Sequence, residues 1–122
     1  MSMALDAPAP EITAAALQEE IVRTIDRPEN GMPETSPLLL LDVREAEERA
    51  GGYIPNSLHI PVNWVRFRLN QLDKNAEIVV YCAHGVRSNA AAAFLLRQGY
   101  RARSLKGGIY AWAAAGGEIN YG

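Results

Sequence analysis

Apolar residues in this chain fall either into short unbroken runs or into stretches with helical spacing. The unbroken runs are PLLLLDV, residues 37–43, and EIVVYC, Glu77–Cys82. Their lack of polar alternation predicts strands covered on both faces, as in a parallel sheet. Arg101–Leu105 predicts a third strand, and Ser57–Ile60 a short one. Helical spacing predicts helices over Glu11–Arg23, with Thr13 as N-cap and Leu17, Ile21 and Ile25 on one face, and over Asn63–Leu72. Further helices are expected over Arg44–Ala50, stopped by Gly51-Gly52, and over Ser88–Gln98, closed by Gly99. A last one follows Gly107-Gly108 and contains Trp112. Arg27–Pro37 has three prolines and a glycine and reads as an exposed loop. Buried strands alternating with helices predict an α/β fold, its central mostly parallel sheet flanked by helices on both sides.

Size and composition fit that picture. The 122 residues make about one domain, with a flexible N-terminus expected over 1–10 and a single folded unit over 11–122. Hydrophobic residues are 48% and charged residues 21% of the chain, as in a globular protein. Twelve Lys and Arg against fourteen Asp and Glu leave a net charge of −2, which favours neither nucleic acid nor an anionic membrane as partner. The first residues lack the basic and apolar regions of a signal peptide, and no run is long enough for a membrane helix. A single cysteine forms no internal disulfide, so a cytoplasmic setting is expected.

That cysteine carries the candidate chemistry. Cys82 ends the second apolar run, and Ala83, His84, Gly85, Val86 and Arg87 follow before a helix at Ser88. A strand–loop–helix passage of this length can curl so that successive N–H groups face one centre, an anion nest. Gly85 supplies conformational freedom, the helix start supplies partial positive charge, and Arg87 supplies a fixed forked cation. A thiol at that focus is expected to ionise easily and act as a nucleophile. In open parallel sheets ligands gather at the carboxyl ends of strands, where Cys82 lies. With no second cysteine, and His59 the only histidine besides His84, no metal site and no cofactor is expected.

The loop Cys82-Ala-His-Gly85-Val-Arg87-Ser88 resembles the C-x-x-G-x-R-S active-site loop of rhodanese-domain sulfurtransferases. LLLLDVRE, Leu38–Glu45, is similar to that family's strand ending in Asp-Val-Arg. GGYIPNSLHIP, Gly51–Pro61, and LKGGIYAWAAAGG, Leu105–Gly117, are similar to two further family segments, so the resemblance spans roughly residues 11–118. It implies a rhodanese-like fold in which Cys82 takes the outer sulfur of a donor such as thiosulfate, becomes a persulfide, and passes the sulfur to a thiol or to cyanide. It also implies that the loop amides hold the bound sulfur, that Arg87 holds the anionic donor, that Ser88 adds a hydroxyl bond, and that Asp42 and Arg44 support the loops. The implied partners are a small sulfur donor or a protein persulfide and a thiol acceptor, with the protein a monomer or weak dimer. Tyr53 and Asn56 depart from the family's usual His and Gly.

Two other readings share the fold. A phosphatase or arsenate reductase uses five residues between Cys and Arg, whereas only Ala83, His84, Gly85 and Val86 stand here. A non-catalytic binding module is the other, usually without the cysteine. Among the remaining candidates, His84 is expected to point to solvent, Glu45, Glu47 and Glu48 to form a solvated helix face, and Ile109, Tyr110 and Trp112 to close the core.

Overall fold

The computed structural model describes residues 8–25 and 37–121. Its strands are β1 (Glu11–Ile12), β2 (Leu38–Asp42), β3 (Leu58–His59), β4 (Glu77–Tyr81) and β5 (Arg101–Leu105). They form one sheet in the order β1-β5-β4-β2-β3, with every neighbouring pair parallel. The helices are α1 (Ala14–Ile25), α2 (Ala46–Ala50), α3 (Val86–Arg97) and α4 (Gly108–Ala114).

Alternation along the central strands sorts side chains between two cores. Leu41, Val43, Ile78, Val80 and Ala102 pack with Ala91, Ala92 and Leu95 of α3. Leu40, Val79, Tyr81 and Leu105 pack on the opposite face with Leu17 of α1 and Ile109 and Trp112 of α4. Helices therefore cover both faces, as expected, and each fully buried Leu, Ile or Val contributes about 1.5–3 kcal/mol. At the end of α3 the expected glycine stop is present. Gly99 has φ +92°, its N–H bonds to the Leu96 carbonyl, and Tyr100 N–H reaches back to Leu95.

Three expectations need correction. Residues 8–10 are tied down rather than frayed: Ala9 is buried and exchanges two hydrogen bonds with the Asn89 side chain. The earlier residues of that stretch, and 27–36 of the expected loop, lie outside the described residues. Glu11 and Ile12 form an edge strand rather than a first helical turn, because their backbone finds partners on β5. Thr13 then caps α1, its Oγ1 accepting from Ala16 N–H at 3.1 Å. Asn63–Leu72 is not an α-helix but two 3₁₀ segments, Val62–Phe67 and Leu69–Gln71. Backbone bonds there span three residues, as in Trp64 to Pro61 and Arg68 to Val65. This tighter winding buries Val65 and Leu72 and leaves Trp64 and Phe67 exposed.

Asn56 is the one non-glycine residue with positive φ, +65°, among those described. Asparagine adopts this left-handed backbone at lower cost than most residues. Tyr53 is held by a two-way backbone bridge to Asn120 and lies under the Arg49 guanidinium, 4.1 Å from its ring centre.

Candidate active site

Cys82 follows directly on β4, at the carboxyl edge of the sheet. The next residues turn back so that Gly85, at φ +105°, caps α3 in a left-handed conformation. A Cβ there would be strained by that φ and would press against the backbone nitrogen of Gly107. Of the residues assigned to the loop, Ala83, His84 and Gly85 form it; Val86, Arg87 and Ser88 make the first turn of α3.

The amides converge on the sulfur. Gly85 N–H points at Cys82 Sγ from 3.1 Å and Ser88 N–H from 3.3 Å. Ser88 Oγ lies 3.4 Å from the sulfur. Cys82 is 1% exposed. Burial alone would push its thiol up, but the Ser88 hydroxyl and the amides of Ser88, Gly85 and His84 more than offset it, leaving the thiol below its ordinary value. Ser88 Oγ is in turn 2.8 Å from Ser104 Oγ on β5, both residues being fully buried.

The loop is aimed from behind by α4. Ile109 N–H donates to the Cys82 carbonyl at 2.9 Å and Tyr110 N–H to that of Ala83 at 3.3 Å. Those carbonyls are thus turned away from the sulfur while the later amides turn toward it. Gly108 makes this possible, since a Cβ there would collide with the Ala83 and Cys82 carbonyls.

Arg87 is not free. Its two terminal nitrogens each donate to one Glu48 oxygen at 2.8 Å. Arg87 holds the Glu48 carboxyl down at about 2, and the Glu45 amide, 2.8 Å from Glu48 Oε1, adds to the effect. Glu48 is therefore a partner of the loop rather than part of a purely solvated face. No sequence pattern pairs it with Arg87, because the two lie on separate elements.

Asp42 and Arg44 form a buried knot beneath α2. Arg44 donates to Asp42 from Nε at 3.0 Å, from Nη2 at 2.9 Å and from its amide at 3.0 Å. Arg49 and the Tyr81 hydroxyl add bonds at 3.1 and 3.0 Å to the same carboxylate. Burial pushes Asp42 up, but the Arg44 and Tyr81 donors outweigh it and hold it below the usual carboxylate range. Arg44 also reaches the carbonyls of Glu48 and Gly52, which fixes α2 and so the position of Glu48. Arg49, Tyr81 and Ser104 carry no distinguishing pattern in the sequence.

His84 is exposed, as expected, and its ring stacks on Tyr110 with centroids 4.6 Å apart. Tyr110 is consequently 61% exposed and does not close the core, although Ile109 and Trp112 do. Beside the loop, Ala83, Glu48, Tyr110 and Tyr121 help line a cleft of about 310 Å³. Among the described residues no group of His, Cys, Asp and Glu is arranged to hold a metal, and no helix is long and apolar enough to cross a membrane.

The chain is similar to known proteins over most of its length. Residues 25–115 match the model of the rhodanese-like domain. A sulfurtransferase of Allochromatium vinosum is 41% identical over 86 residues, 70% of this chain and 80% of the relative. The putative sulfurtransferase YtwF of Bacillus subtilis is 36% identical over 84% of this chain and 88% of its own. The crystal structure of a rhodanese-related protein from Thermoplasma volcanium superposes with a TM-score of 0.77 at 33% identity, covering 93% of this chain and 99% of that one. With the domain match spanning most of its length and the sulfur-handling relatives alongside, the chain belongs to the rhodanese-like domain family.

Proposed function

We propose that this protein is a single-domain sulfurtransferase working through a persulfide on Cys82. The observation that carries the reading is the convergence of the Gly85 and Ser88 amides on Sγ. The Cys82 thiolate attacks the outer sulfur of a donor such as thiosulfate. A sulfur–sulfur bond to Cys82 forms, the donor's own sulfur–sulfur bond breaks, and sulfite leaves with the electron pair. An acceptor thiolate, or cyanide in an assay, then attacks the outer sulfur and releases Cys82 as the thiolate. The amides stabilise negative charge on sulfur in both half-reactions without having to reorganise. Arg87 meets an anionic donor by exchanging Glu48 for it. A small sulfur donor or a protein persulfide fits as donor and a thiol as acceptor, in the cytoplasm, where the lone cysteine stays reduced.

Intact mass after incubation with thiosulfate tests the reading. One added sulfur is expected on the wild type and none on Cys82→Ser, which should also release no thiocyanate from thiosulfate and cyanide. Failure to trap a persulfide with thiosulfate, a thiol persulfide or a protein persulfide would overturn it. Hydrolysis of an aryl phosphate, lost in Cys82→Ser, would replace it with the phosphatase reading.

A further inference from the structure

Ser104 is fully buried on β5, and among the described residues its hydroxyl has one hydrogen-bonding neighbour, Ser88 Oγ at 2.8 Å. Ser88 Oγ touches Ser104 on one side and Cys82 Sγ on the other. Three groups therefore stand in a row with two contacts between them. With Cys82 neutral, three hydrogens compete for two contacts and one is left over. With Cys82 ionised, two hydrogens fill two contacts, all pointing from Ser104 through Ser88 to the sulfur.

We propose that Ser104 is a positioning residue for the reactive sulfur, donating to Ser88 Oγ so that the Ser88 proton is directed at Cys82. A serine at such a position can otherwise turn its hydroxyl back to a backbone carbonyl three or four residues earlier. The contact with Ser104 holds Ser88 away from that alternative, and a donor that is itself accepting a hydrogen bond donates more strongly. The support is rigid. Ser104 pairs in register with Glu11, and its N–H bonds to the Pro10 carbonyl at 2.9 Å, so the row starts from the sheet rather than from a loop. This deepens the sulfur-transfer reading, from which it takes that Cys82 reacts as the anion.

The test is the pH dependence of Cys82 alkylation by iodoacetamide, which needs no sulfur donor and reports on the only cysteine in the chain. Around the loop stand His84, Arg87, its partner Glu48, and Tyr110, with Arg44 lining the same cleft, Lys106 next to Gly107, and Arg101 and Arg103 on β5 itself, and all are unchanged in these variants. Ser104→Ala should move the midpoint upward by about half to one pH unit, a three- to tenfold loss of thiolate below it. Ser104→Thr, which keeps the hydroxyl, should restore most of that. Ser88→Ala should shift the midpoint at least as far, and adding Ser104→Ala to it should change nothing more. An unmoved midpoint in a folded Ser104→Ala protein, or an equal further shift in the Ser88→Ala background, would overturn the proposal. Failure of the wild type to form a persulfide would strike the sulfur-transfer reading and leave this titration standing.

Discussion

Arg87 and Glu48 meet fork to fork, two guanidinium nitrogens each 2.8 Å from a carboxylate oxygen. A dianionic donor bound by Arg87 has to displace that carboxylate or share the cation with it. Both side chains are about one-third exposed, so the pair is worth no more than about 1 kcal/mol. Glu48→Gln should therefore lower the KM for thiosulfate about three- to fivefold with little change in kcat, since the amide still accepts from Glu45. Steady-state kinetics with thiosulfate and cyanide checks this. A KM that rises would mean that Arg87 does not bind the donor.

Acid should weaken the fold through the same region. Glu48 is held down from 4.5 to about 2, and Asp42 lies below its ordinary 3.8. A depressed folded-state pKa gives stability that is complete above the unfolded value and is lost as pH falls through the folded one. Urea midpoints should be flat above about pH 5 and decline between about 4.5 and 2. Asp42→Asn should cost about 3 kcal/mol at pH 7, because it leaves Arg44 buried beside a neutral partner. That cost should shrink below pH 3.8. A midpoint that is constant to pH 2.5 would contradict the assignment.

Tyr81→Phe removes one hydroxyl from this knot. The Tyr81 hydroxyl donates to Asp42, accepts from the Ile54 amide at 3.1 Å and stands 3.0 Å from Ser57 Oγ, in a fully buried position. Its removal leaves that amide without a partner, at a cost of about 1–3 kcal/mol. Chemical denaturation should show the loss, while persulfide formation by the folded fraction should be unaffected.

Gly108→Ala should damage stability and chemistry together. Gly108 has φ +65°, and an added Cβ would run into the carbonyls that α4 holds away from the sulfur. A loss of at least about 2 kcal/mol is expected from strain and displacement. The iodoacetamide rate of the folded protein should fall as well, because the loop carbonyls move. Ala113→Ser, on an exposed position of the same helix, serves as the control.

Much of this arrangement was legible along the chain because it is local. The runs at Leu38 and Glu77, the glycine stop at Gly99 and the Cys82–Ser88 loop each carry their own pattern. What escaped depends on partners far away in sequence. Glu11 and Ile12 are a strand only because β5 supplies the other half of the ladder. Glu48 looked like one more surface carboxylate until α2 was placed opposite α3. Ser104 is a single polar residue in a buried strand, and nothing in its neighbourhood along the chain signals Ser88. Asn63–Leu72 has helical spacing, but its burial is satisfied by Val65 and Leu72 in a tighter winding.

The bond from Ser104 N–H to Pro10, and that from Lys106 N–H to Ile12, join segments separated by nearly the whole described chain. During synthesis the early segment has no partner until β5 has been made and has cleared the ribosome. Closing this edge is therefore a late folding event, delayed by the long loop it must bridge. On the role proposed for Ser104, a nascent chain halted after α3 would carry Cys82 with no hydroxyl behind Ser88, and its thiol would reach full acidity only once β5 is in place.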